Sequence, residues 1–268
     1  MLMNFKTFEA EDLSNLFELQ PPDWGDLQPR FKYFIDSTYC HPIKLVENGK
    51  MIAIGTSMLH SDSAWLACIV VHPDFRNQGL GNKLTQQLID RIDQQKFQTI
   101  YLDATDFGYP VYRKLGFEIV AEYVHLKKQH PVETYPIPKN IFPFREEFTG
   151  SLLKLDEEIS GECRKGILND FLSSAQVYIT GEDVQGFYIA DWGDGPIIAK
   201  TKEAGLELLK VRSQKRTDAV IPITNETALS FLTNNGFETF KTSKRMLLGK
   251  RKDWQPTGSF NWISGQLG

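Results

Sequence analysis

The stretch from Cys68 to Ile92 constrains this chain most, because it predicts a strand, a loop with two glycines and a helix in close succession. Three β-branched residues at 69–71 end at a His-Pro pair, which is typical of a strand followed by a turn. Leucine or isoleucine then recurs every fourth residue, as on one face of a helix, at positions 80, 84, 88 and 92. Between strand and helix lies Arg-Asn-Gln-Gly-Leu-Gly-Asn, residues 76–82, called the glycine loop below.

The glycine loop has the properties of an anion-binding site. The first N–H groups of a helix have no acceptor within the helix, and the helix dipole adds roughly half a positive charge at that end. Gly79 and Gly81 carry no side chain there, so a pyrophosphate could approach the backbone closely. A dinucleotide fingerprint requires glycine at Leu84, and a P-loop requires Ser or Thr after Lys83, so neither motif is present. A simple turn without a ligand is the alternative.

Five residues of this stretch resemble the acetyl-CoA loop of the GNAT N-acetyltransferase superfamily, V-x-P-x-x-[QR]-x-x-G-x-[GA], namely Val71, Pro73, Arg76, Gly79 and Gly81. The resemblance covers roughly residues 1–128, where strands, hairpin and helices are predicted in the family's order. It implies an α/β fold with a mixed (α+β) sheet. It also implies that the strand ending at Val71 splays away from the strand at 99–104, which leaves backbone groups that need partners.

The resemblance further implies acetyl-CoA as co-substrate. Its pantetheine amides would pair with the backbone in the splay, and its pyrophosphate would lie on the glycine loop. The predicted cofactor-binding residues are Ile69, Val70, Val71, Arg76, Asn77, Gln78, Gly79, Leu80, Gly81 and Asn82. An ordinary surface role is the alternative for Arg76. Family patterns often carry Asn in the following loop, where this chain has Thr105 and Asp106, so that contact is not predicted.

Tyr112 lies four residues before Gly116 in Tyr-x-x-x-Gly-Phe, where many GNAT enzymes carry a tyrosine. A phenol there would donate a proton to the departing CoA thiolate, so Tyr112 is the predicted catalytic residue. The alternative is that Tyr112 is a packed aromatic residue with its hydroxyl at the surface. Trp24 and Asp26 are predicted to line the acceptor pocket, although Trp24 could equally serve packing. No general base is assigned among the acidic and histidine side chains of the predicted loops: Asp23, Asp26, Glu47, His60 and Asp62.

Composition limits the partners and the compartment. The 268 residues carry a net charge of −4 and no basic stripe, which argues against nucleic acid as a partner. The three cysteines lack paired metal-ligand spacing, so no metal is predicted and free thiols in a reducing compartment are expected. No apolar leader and no apolar run of about 18 residues is present, so we expect a cytoplasmic protein without a membrane partner. The sequence does not indicate an oligomeric state.

The second half repeats the first at low similarity. Residues 129–150 contain several prolines and are predicted to form a connector. Three later segments then parallel the hairpin, the strand-loop-helix unit and the last helix with its strand, in the same order: YITGEDVQGFYIA, GPIIAKTKEAGLELLK and NETALSFLTNNGFETF. The chain therefore resembles tandem GNAT proteins, with a standard acetyltransferase domain at 1–128 and a divergent, degenerate copy at 151–268.

The second half lacks the residues that carry the chemistry in the first. Its lone Gly205 falls inside the helical series, and Leu232 stands where the first half has Tyr112. We therefore expect no cofactor there, and a structural or acceptor-shaping role. The predicted function is transfer of an acetyl group to an amine of a small molecule or a protein, by direct attack in a ternary complex. The alternative is a non-catalytic acyl-CoA-binding or sensor protein.

Overall fold

The computed structural model describes residues 3–22, 24–130, 135–136 and 138–265. The strands of the first half are β1 (Met3–Thr7), β2 (Cys40–Glu47), β3 (Lys50–Leu59), β4 (Ala64–Val71), β5 (Thr99–Ala104) and β6 (Glu118–Lys127). Its helices are α1 (Gln28–Asp36), α2 (Leu80–Asp90) and α3 (Tyr109–Lys114), with 3-10 helices at Ala10–Glu18 and Pro73–Phe75.

The second half contains seven strands and four α-helices among its described residues. The strands are β7 (Ile141–Pro143), β8 (Ala175–Thr180), β9 (Asp183–Ile189), β10 (Ile197–Ala199), β11 (Asp218–Pro222), β12 (Glu238–Gly249) and β13 (Ser259–Asn261). The α-helices are α4 (Thr149–Ser160), α5 (Lys165–Asn169), α6 (Lys202–Ser213) and α7 (Glu226–Asn234). Three short 3-10 helices complete it, at Glu146–Phe148, Leu172–Ser174 and Pro256–Gly258.

The two halves share one sheet. Eight strands lie in the order β1-β2-β3-β4-β5-β12-β6-β11, and five more form a second sheet in the order β13-β10-β9-β8-β7. Strand β12 of the second half is antiparallel to both β5 and β6 of the first. Strand β6, in turn, lies between β12 and β11 of the second half. Each half therefore places one of its strands inside the strand order of the other.

Three hydrophobic cores follow from this arrangement. One lies between the eight-stranded sheet and the helices α2 and α3, where Leu84 and Leu88 meet Ile100 and Leu102. The opposite face of the same sheet packs against the second half, and its core joins Trp65 and Tyr101 to Leu155 and Trp192. The third core packs α6 and α7 against β6, β10 and β11. The second half, together with α1 and the 3-10 helix at Ala10–Glu18, thus covers the sheet face that α2 and α3 leave open.

The predicted order of elements is confirmed in both halves. Asn48 and Gly49 form the hairpin turn with φ angles of 49° and 83°, and the three repeated segments form the β8–β9 hairpin, the β10–α6 unit and the α7–β12 unit. The first helical segment, Ala10–Glu18, is a 3-10 helix, and the predicted connector at 129–150 contains β7 and the beginning of α4. The three cysteines are free thiols. Within the described ranges, no helix combines the length and the apolar character needed to cross a bilayer.

Candidate functional site

Strands β4 and β5 separate, as the family resemblance implied. Their parallel register pairs Ala64 with Ile100 and ends at Leu66 with Leu102. Strand β4 continues to Val71, which still pairs with Ala53 of β3 on its other side. The described pairing therefore leaves one edge of residues 67–71 facing a gap, and this gap is where Ile69, Val70 and Val71 were predicted to contact a ligand.

A bulge in β4 shapes this gap. Cys68 has a φ angle of 50°, a left-handed conformation that costs a residue with a Cβ about 1 kcal/mol or more. The register with β3 shifts at the same level, between Ile54 and Thr56. The side chains change faces there, so that Cys68 joins the core shared with the second half whereas Ile69 packs toward α2. Sequence reasoning missed this bulge because cysteine is not a residue that indicates a positive φ.

Arg76 lies at the open end of the gap. The backbone N–H of His72 donates to Ile52 of β3 at 2.9 Å, so the neighbouring Val71 faces the gap instead. The Val71 carbonyl accepts a hydrogen bond from Arg76 Nε at 3.1 Å. The Arg76 side chain is exposed, and the hydrogen bond fixes its positive charge between β4 and the glycine loop.

The glycine loop forms an open surface at the start of α2. Asn77 and Gly79 both have left-handed φ angles, 60° and 76°, and Gly79 is the residue that precedes the first turn of the helix. Leu80 is buried and anchors the turn, whereas Asn77, Gln78 and Gly79 are exposed and Gly81 and Asn82 half-buried. A Cβ added at Gly79 or Gly81 would meet no atom within 4 Å. The loop therefore has the space and the free N–H groups that an anion requires.

Tyr112 lies at the base of α3, on the α2 side of the gap. Its side chain is 8% exposed and forms a T-shaped contact with Phe117, with the ring centroids 6.2 Å apart. The ring lies over the start of the helix, since a Cβ added at Gly108 would be only 2.7 Å from it. Burial raises the pKa of Tyr112, and the negative charge of Asp103 raises it further. The phenol is therefore a protonated donor at neutral pH.

Asp103 is a residue that sequence reasoning missed. It follows Leu102, the last residue of β5 that pairs with β4, and so lies at the gap. Burial raises the pKa of Asp103 to about 7, and Ser243 and nearby positive charges offset the effect only in part. Its Oδ1 is buried without a hydrogen-bond partner in the described structure. The one signal in the sequence is a carboxylate near the end of an otherwise apolar strand.

A buried ion pair joins the halves beside Asp103. Arg245 of β12 is the register partner of Asp103, and its guanidinium lies 4.2 Å from the Tyr101 ring centroid and donates to Glu162 at 2.8 Å. Glu162 also accepts hydrogen bonds from Ser63 Oγ and Trp65 Nε1, at 2.7 and 2.8 Å. These partners are 83 to 99 positions apart in sequence, so no local pattern predicts their contact.

Two cavities lie against this network. The first, of about 30 Å³, is lined in part by Trp65, Arg245, Trp254 and Trp262, and has room for roughly one or two waters. The second, of about 280 Å³, is lined in part by Glu122, Arg251 and the same Trp254. Trp254 lines both cavities.

The residues predicted for the acceptor side lie apart from this network in their described contacts. Trp24 is half-buried against the core shared by the halves, rather than exposed in its loop. Asp26 is exposed and accepts a hydrogen bond from the Gln28 N–H at 2.9 Å, at the start of α1. Among the residues considered as bases, Glu47 is buried at the end of β2, Asp62 pairs with Lys252, and Asp23 lies outside the described residues.

The second half has no open counterpart of the gap in its described part. Strand β13 pairs with β10, and Trp262 N–H donates to Val220 of β11 at 2.9 Å, so the chain itself runs between those strands. Thr201 Oγ1 accepts a hydrogen bond from the Ala204 N–H at the start of α6. A Cβ added at Gly205 would lie 2.2 Å from the Phe260 ring. The position that matches the glycine loop is therefore covered.

Comparison with protein families agrees with this geometry in both halves. The model of the Acetyltransferase (GNAT) family matches residues 7–117, and that of the Acetyltransferase (GNAT) domain matches residues 152–258. The chain belongs to the GNAT acetyltransferase family. It carries two GNAT domains in tandem, of which the first matches the family's general model and the second a different one.

Individual relatives cover parts of the chain. The ribosomal protein bS18-alanine N-acetyltransferase of Escherichia coli K12 is 35% identical over 77 residues, which are 28% of this chain and 52% of that enzyme. The chain thus spans about half the length of this curated relative. An uncharacterized N-acetyltransferase of Porphyra purpurea, ycf52, is 40% identical over 67 residues, 24% of this chain and 38% of the relative.

Solved structures cover the whole chain. A crystal structure from Pyrococcus horikoshii, assigned as a candidate acetyltransferase, matches with a TM-score of 0.84 and 17% identity, over 99% of this chain and 96% of the other. A GCN5-related N-acetyltransferase of Sphaerobacter thermophilus matches with a TM-score of 0.63 and 13% identity, over 95% and 98%. At these identities the likeness shows the tandem fold alone.

Proposed function

We propose that this protein is an acetyl-CoA-dependent N-acetyltransferase whose chemistry takes place in the gap between β4 and β5. The observation that carries the proposal is the separation of these strands beyond Leu66, with the open glycine loop at its end. A gap of this kind exposes strand N–H and C=O groups that need partners. A ligand with amides at one end and phosphates at the other meets both requirements.

The residues of the gap and the loop would hold acetyl-CoA, which supplies the acetyl thioester. The backbone of Ile69 and Val71 would pair with the pantetheine amides, whereas the backbone of Val70, also predicted to bind the cofactor, faces β3 and pairs with Ile54. The N–H groups of the glycine loop, from Asn77 to Asn82, would hold the pyrophosphate, and Arg76 would add positive charge. The space free of atoms around Gly79 and Gly81 supports this fit.

Asp103 and Tyr112 divide the proton transfers of the proposed reaction. Asp103 takes a proton from the acceptor ammonium, so that the neutral amine forms the new N–C bond while the C–S bond of the thioester breaks. Asp103 releases this first proton to solvent. Tyr112 gives its hydroxyl proton to the departing thiolate, and the second amine proton, taken up by the Asp103 carboxylate in turn, replaces it on Tyr112. This assignment supplies the base that the sequence did not indicate.

The acceptor is an amine that reaches Asp103 in a ternary complex with acetyl-CoA. The E. coli relative is named for an alanine of ribosomal protein bS18, so a protein N-terminus is one acceptor class to test, beside small amines. The 280 Å³ cavity, lined in part by Trp254, is the larger of the two cavities described above. Trp24 and Asp26 remain secondary candidates for acceptor contacts. We also propose a cytoplasmic location, in keeping with the free thiols.

An assay of thiol release with acetyl-CoA and a panel of amines tests the proposal. The panel contains small primary amines, polyamines and a peptide with an N-terminal alanine, and mass spectrometry identifies the acetylated product. At least one amine is expected to accelerate thiol release over hydrolysis, and Asp103→Asn is expected to lower that rate by about 10²-fold. CoA binding without acceleration by any amine would favour the non-catalytic acyl-CoA-binding alternative.

A further inference from the structure

The end of the second half reaches the proposed active site. Strand β13 is followed by Trp262, Ile263, Ser264 and Gly265, called the C-terminal segment below. A Cβ added at Gly265 would lie 3.0 Å from Asp103 Oδ2 and 3.1 Å from Trp262 Cη2, which is closer than most Cβ contacts in proteins. The backbone of Gly265 therefore lies directly against the Asp103 carboxylate and the Trp262 ring.

The second half fixes the position of this segment. The backbone N–H of Trp262 donates to the Val220 carbonyl at 2.9 Å, and its ring Nε1 donates to Asp194 Oδ2 at 3.0 Å. The Ile263 carbonyl accepts a hydrogen bond from the Asp194 N–H at 2.6 Å, and the Ile263 side chain is 2% exposed. The Trp262 ring also packs against Tyr123, with the centroids 5.1 Å apart. The C-terminal segment is therefore a fixed wall beside the carboxylate.

An acceptor amine has to fit between this wall and Asp103. A base takes a proton from a group at hydrogen-bond distance, about 2.6–3.2 Å between the heavy atoms. Asp103 Oδ1 is buried and has no hydrogen-bond partner in the described structure, so it can accept a hydrogen bond from an amine, whereas Oδ2 lies at Gly265. Both oxygens belong to one small carboxylate. Whichever oxygen takes the proton, the carbon that bears the nitrogen therefore lies near Gly265 and Trp262.

The space beside the wall suits a narrow acceptor. A –CH2–NH2 group presents only hydrogens at the sides of its carbon, whereas a branched carbon presents a methyl or carbonyl group there. A group of that size is comparable to the Cβ that would come within 3.0 and 3.1 Å of Asp103 and Trp262. Packed protein interiors yield little to an added methyl group. Branching at the carbon next to the nitrogen is therefore unfavourable.

We propose that the C-terminal segment is the acceptor-side wall of the active site, and that Trp262 and Gly265 restrict the acceptor to a primary amine on an unbranched carbon. A lysine side chain, an aminoalkyl compound and an N-terminal glycine belong to this class, and an N-terminal alanine does not. The inference rests on the function proposed above and names the acceptor class for the same site. Because the wall belongs to the second half, that half determines specificity although it transfers no proton.

Matched pairs of amines test the restriction in the full chain. The pairs are 1-aminobutane with 2-aminobutane, a peptide with N-terminal glycine with its N-terminal alanine analogue, and the best amine of the panel with its analogue that differs by one methyl on the carbon next to the nitrogen. The wild type is expected to prefer the unbranched member by about tenfold or more in kcat/KM. Each ratio is measured with one enzyme preparation, so any loss of folded protein cancels.

Two variants change the wall in opposite directions. Trp262→Phe shortens the side chain and removes Cη2, so the preference is expected to fall below about threefold, with the Kd for acetyl-CoA within about twofold of wild type. Gly265→Ala adds a methyl group without backbone strain, since Gly265 has no left-handed φ, and is expected to raise the KM of the unbranched amine about tenfold at the same Kd. Gly150→Ala is the control, because a Cβ at this exposed position of α4 meets no atom within 4 Å.

The outcomes separate the restriction from the proposed function. A wild type that binds CoA but acetylates no amine would contradict the proposed function. An active wild type that uses both members of a pair equally, or prefers the branched one, would overturn the restriction alone. A preference that Trp262→Phe leaves unchanged would show that the wall does not cause it. If Trp262→Phe fails to fold, Gly265→Ala decides, since a wild-type KM for the amine in that variant also overturns the inference.

Discussion

Burial gives Asp103 and Tyr112 opposite tasks at the same pH. Loss of hydration disfavours the charged form of each group, which brings the pKa of Asp103 to about 7 and raises that of Tyr112. A carboxylate with this pKa is a useful proton acceptor near neutrality, whereas the phenol keeps its proton until a strong base such as a thiolate needs it. One physical cause therefore prepares both the base and the acid of the proposed reaction.

Replacement of Tyr112 by Phe separates binding from catalysis. The change Tyr112→Phe keeps the ring that packs over Gly108 and removes only the donor. We expect the Kd for acetyl-CoA to stay within about twofold, and kcat to fall by on the order of 10²-fold. Calorimetry and the thiol-release assay measure the two quantities. If kcat is equal in the two proteins, Tyr112 serves packing alone.

His60 makes the protein sensitive to mild acid. Its ring is buried with both nitrogens lacking a hydrogen-bond partner, and burial lowers the pKa of His60 to about 4 from an ordinary value of 6.5, although the charge of Glu162 opposes the shift. Below pH 6.5 the unfolded chain binds a proton that the folded protein accepts only near pH 4. The stabilisation is therefore complete above pH 6.5 and is lost as the pH falls toward 4.

The variant His60→Leu removes this titration. Between pH 7 and pH 4, the free energy of unfolding of the wild type is expected to fall by on the order of 3 kcal/mol more than that of the variant. Urea unfolding at pH 7, 5.5 and 4 measures both curves, and the other acid-labile groups cancel in the comparison. Parallel curves would show that His60 does not titrate in this range.

At the scale of elements, the start of α2 is the part of the site that one substitution can block. Gly81 lies in the first turn of the helix without a left-handed φ and with open space at its Cβ position, so Gly81→Val should fold normally. The added side chain occupies the approach to the free N–H groups. We expect CoA affinity to fall tenfold or more, as measured by calorimetry. Gly79→Val is less informative, since its φ of 76° would add strain.

The control for Gly81→Val is Gln86→Val, which places the same β-branched side chain at an exposed position later in α2. It lies more than one turn from the glycine loop. CoA affinity should stay at the wild-type value in this control. Equal affinity in the two variants would remove the glycine loop from the binding site.

The sequence predicts the secondary-structure elements better than it predicts which strands pair with each other. Strand β5, the hairpin at Asn48 and the start of α2 follow from local periodicity and turn residues, which the neighbouring few positions determine. The pairing of β12 with β5 joins residues such as Lys244 and Ala104, 140 positions apart, and hydrophobic alternation does not say which strand a strand will meet. Asp103 was missed for the same reason, because its burial comes from β12 and the C-terminal segment.

At the scale of the whole molecule, the eight-stranded sheet belongs to neither half alone. Without β12, the strands β5 and β6 would face each other across an unfilled space, and without β6 the strand β11 would lose its described partner in the eight-stranded sheet. Unpaired N–H and C=O groups would then line several edges. The two repeats in the sequence therefore do not correspond to two separate sheets.

A chain cut between residues 130 and 135 tests how strongly the halves depend on each other. The two pieces are expected to stay together as a 1:1 complex after size-exclusion chromatography, because β12, β6 and the Glu162–Arg245 pair join them. Each piece expressed alone is expected to lack a cooperative thermal transition. A first piece that unfolds cooperatively as a monomer and binds CoA with the affinity of the full chain would contradict this expectation.

Strand β13 makes the closure of the second half difficult to reverse. In the second half it lies where the first half keeps its gap, and Asn225 Nδ2 holds it through the carbonyls of Thr257 and Ser259, at 3.0 Å each. New glycines at the start of α6 would not restore the gap between the strands. The segment that contains β13 is tethered to the site, so its effective concentration there is very high, and a ligand would have to displace it first. Once a segment of the chain fills a binding site, each later substitution that improves its packing makes ligand binding at that site harder to recover. The loss of binding therefore becomes progressively less reversible.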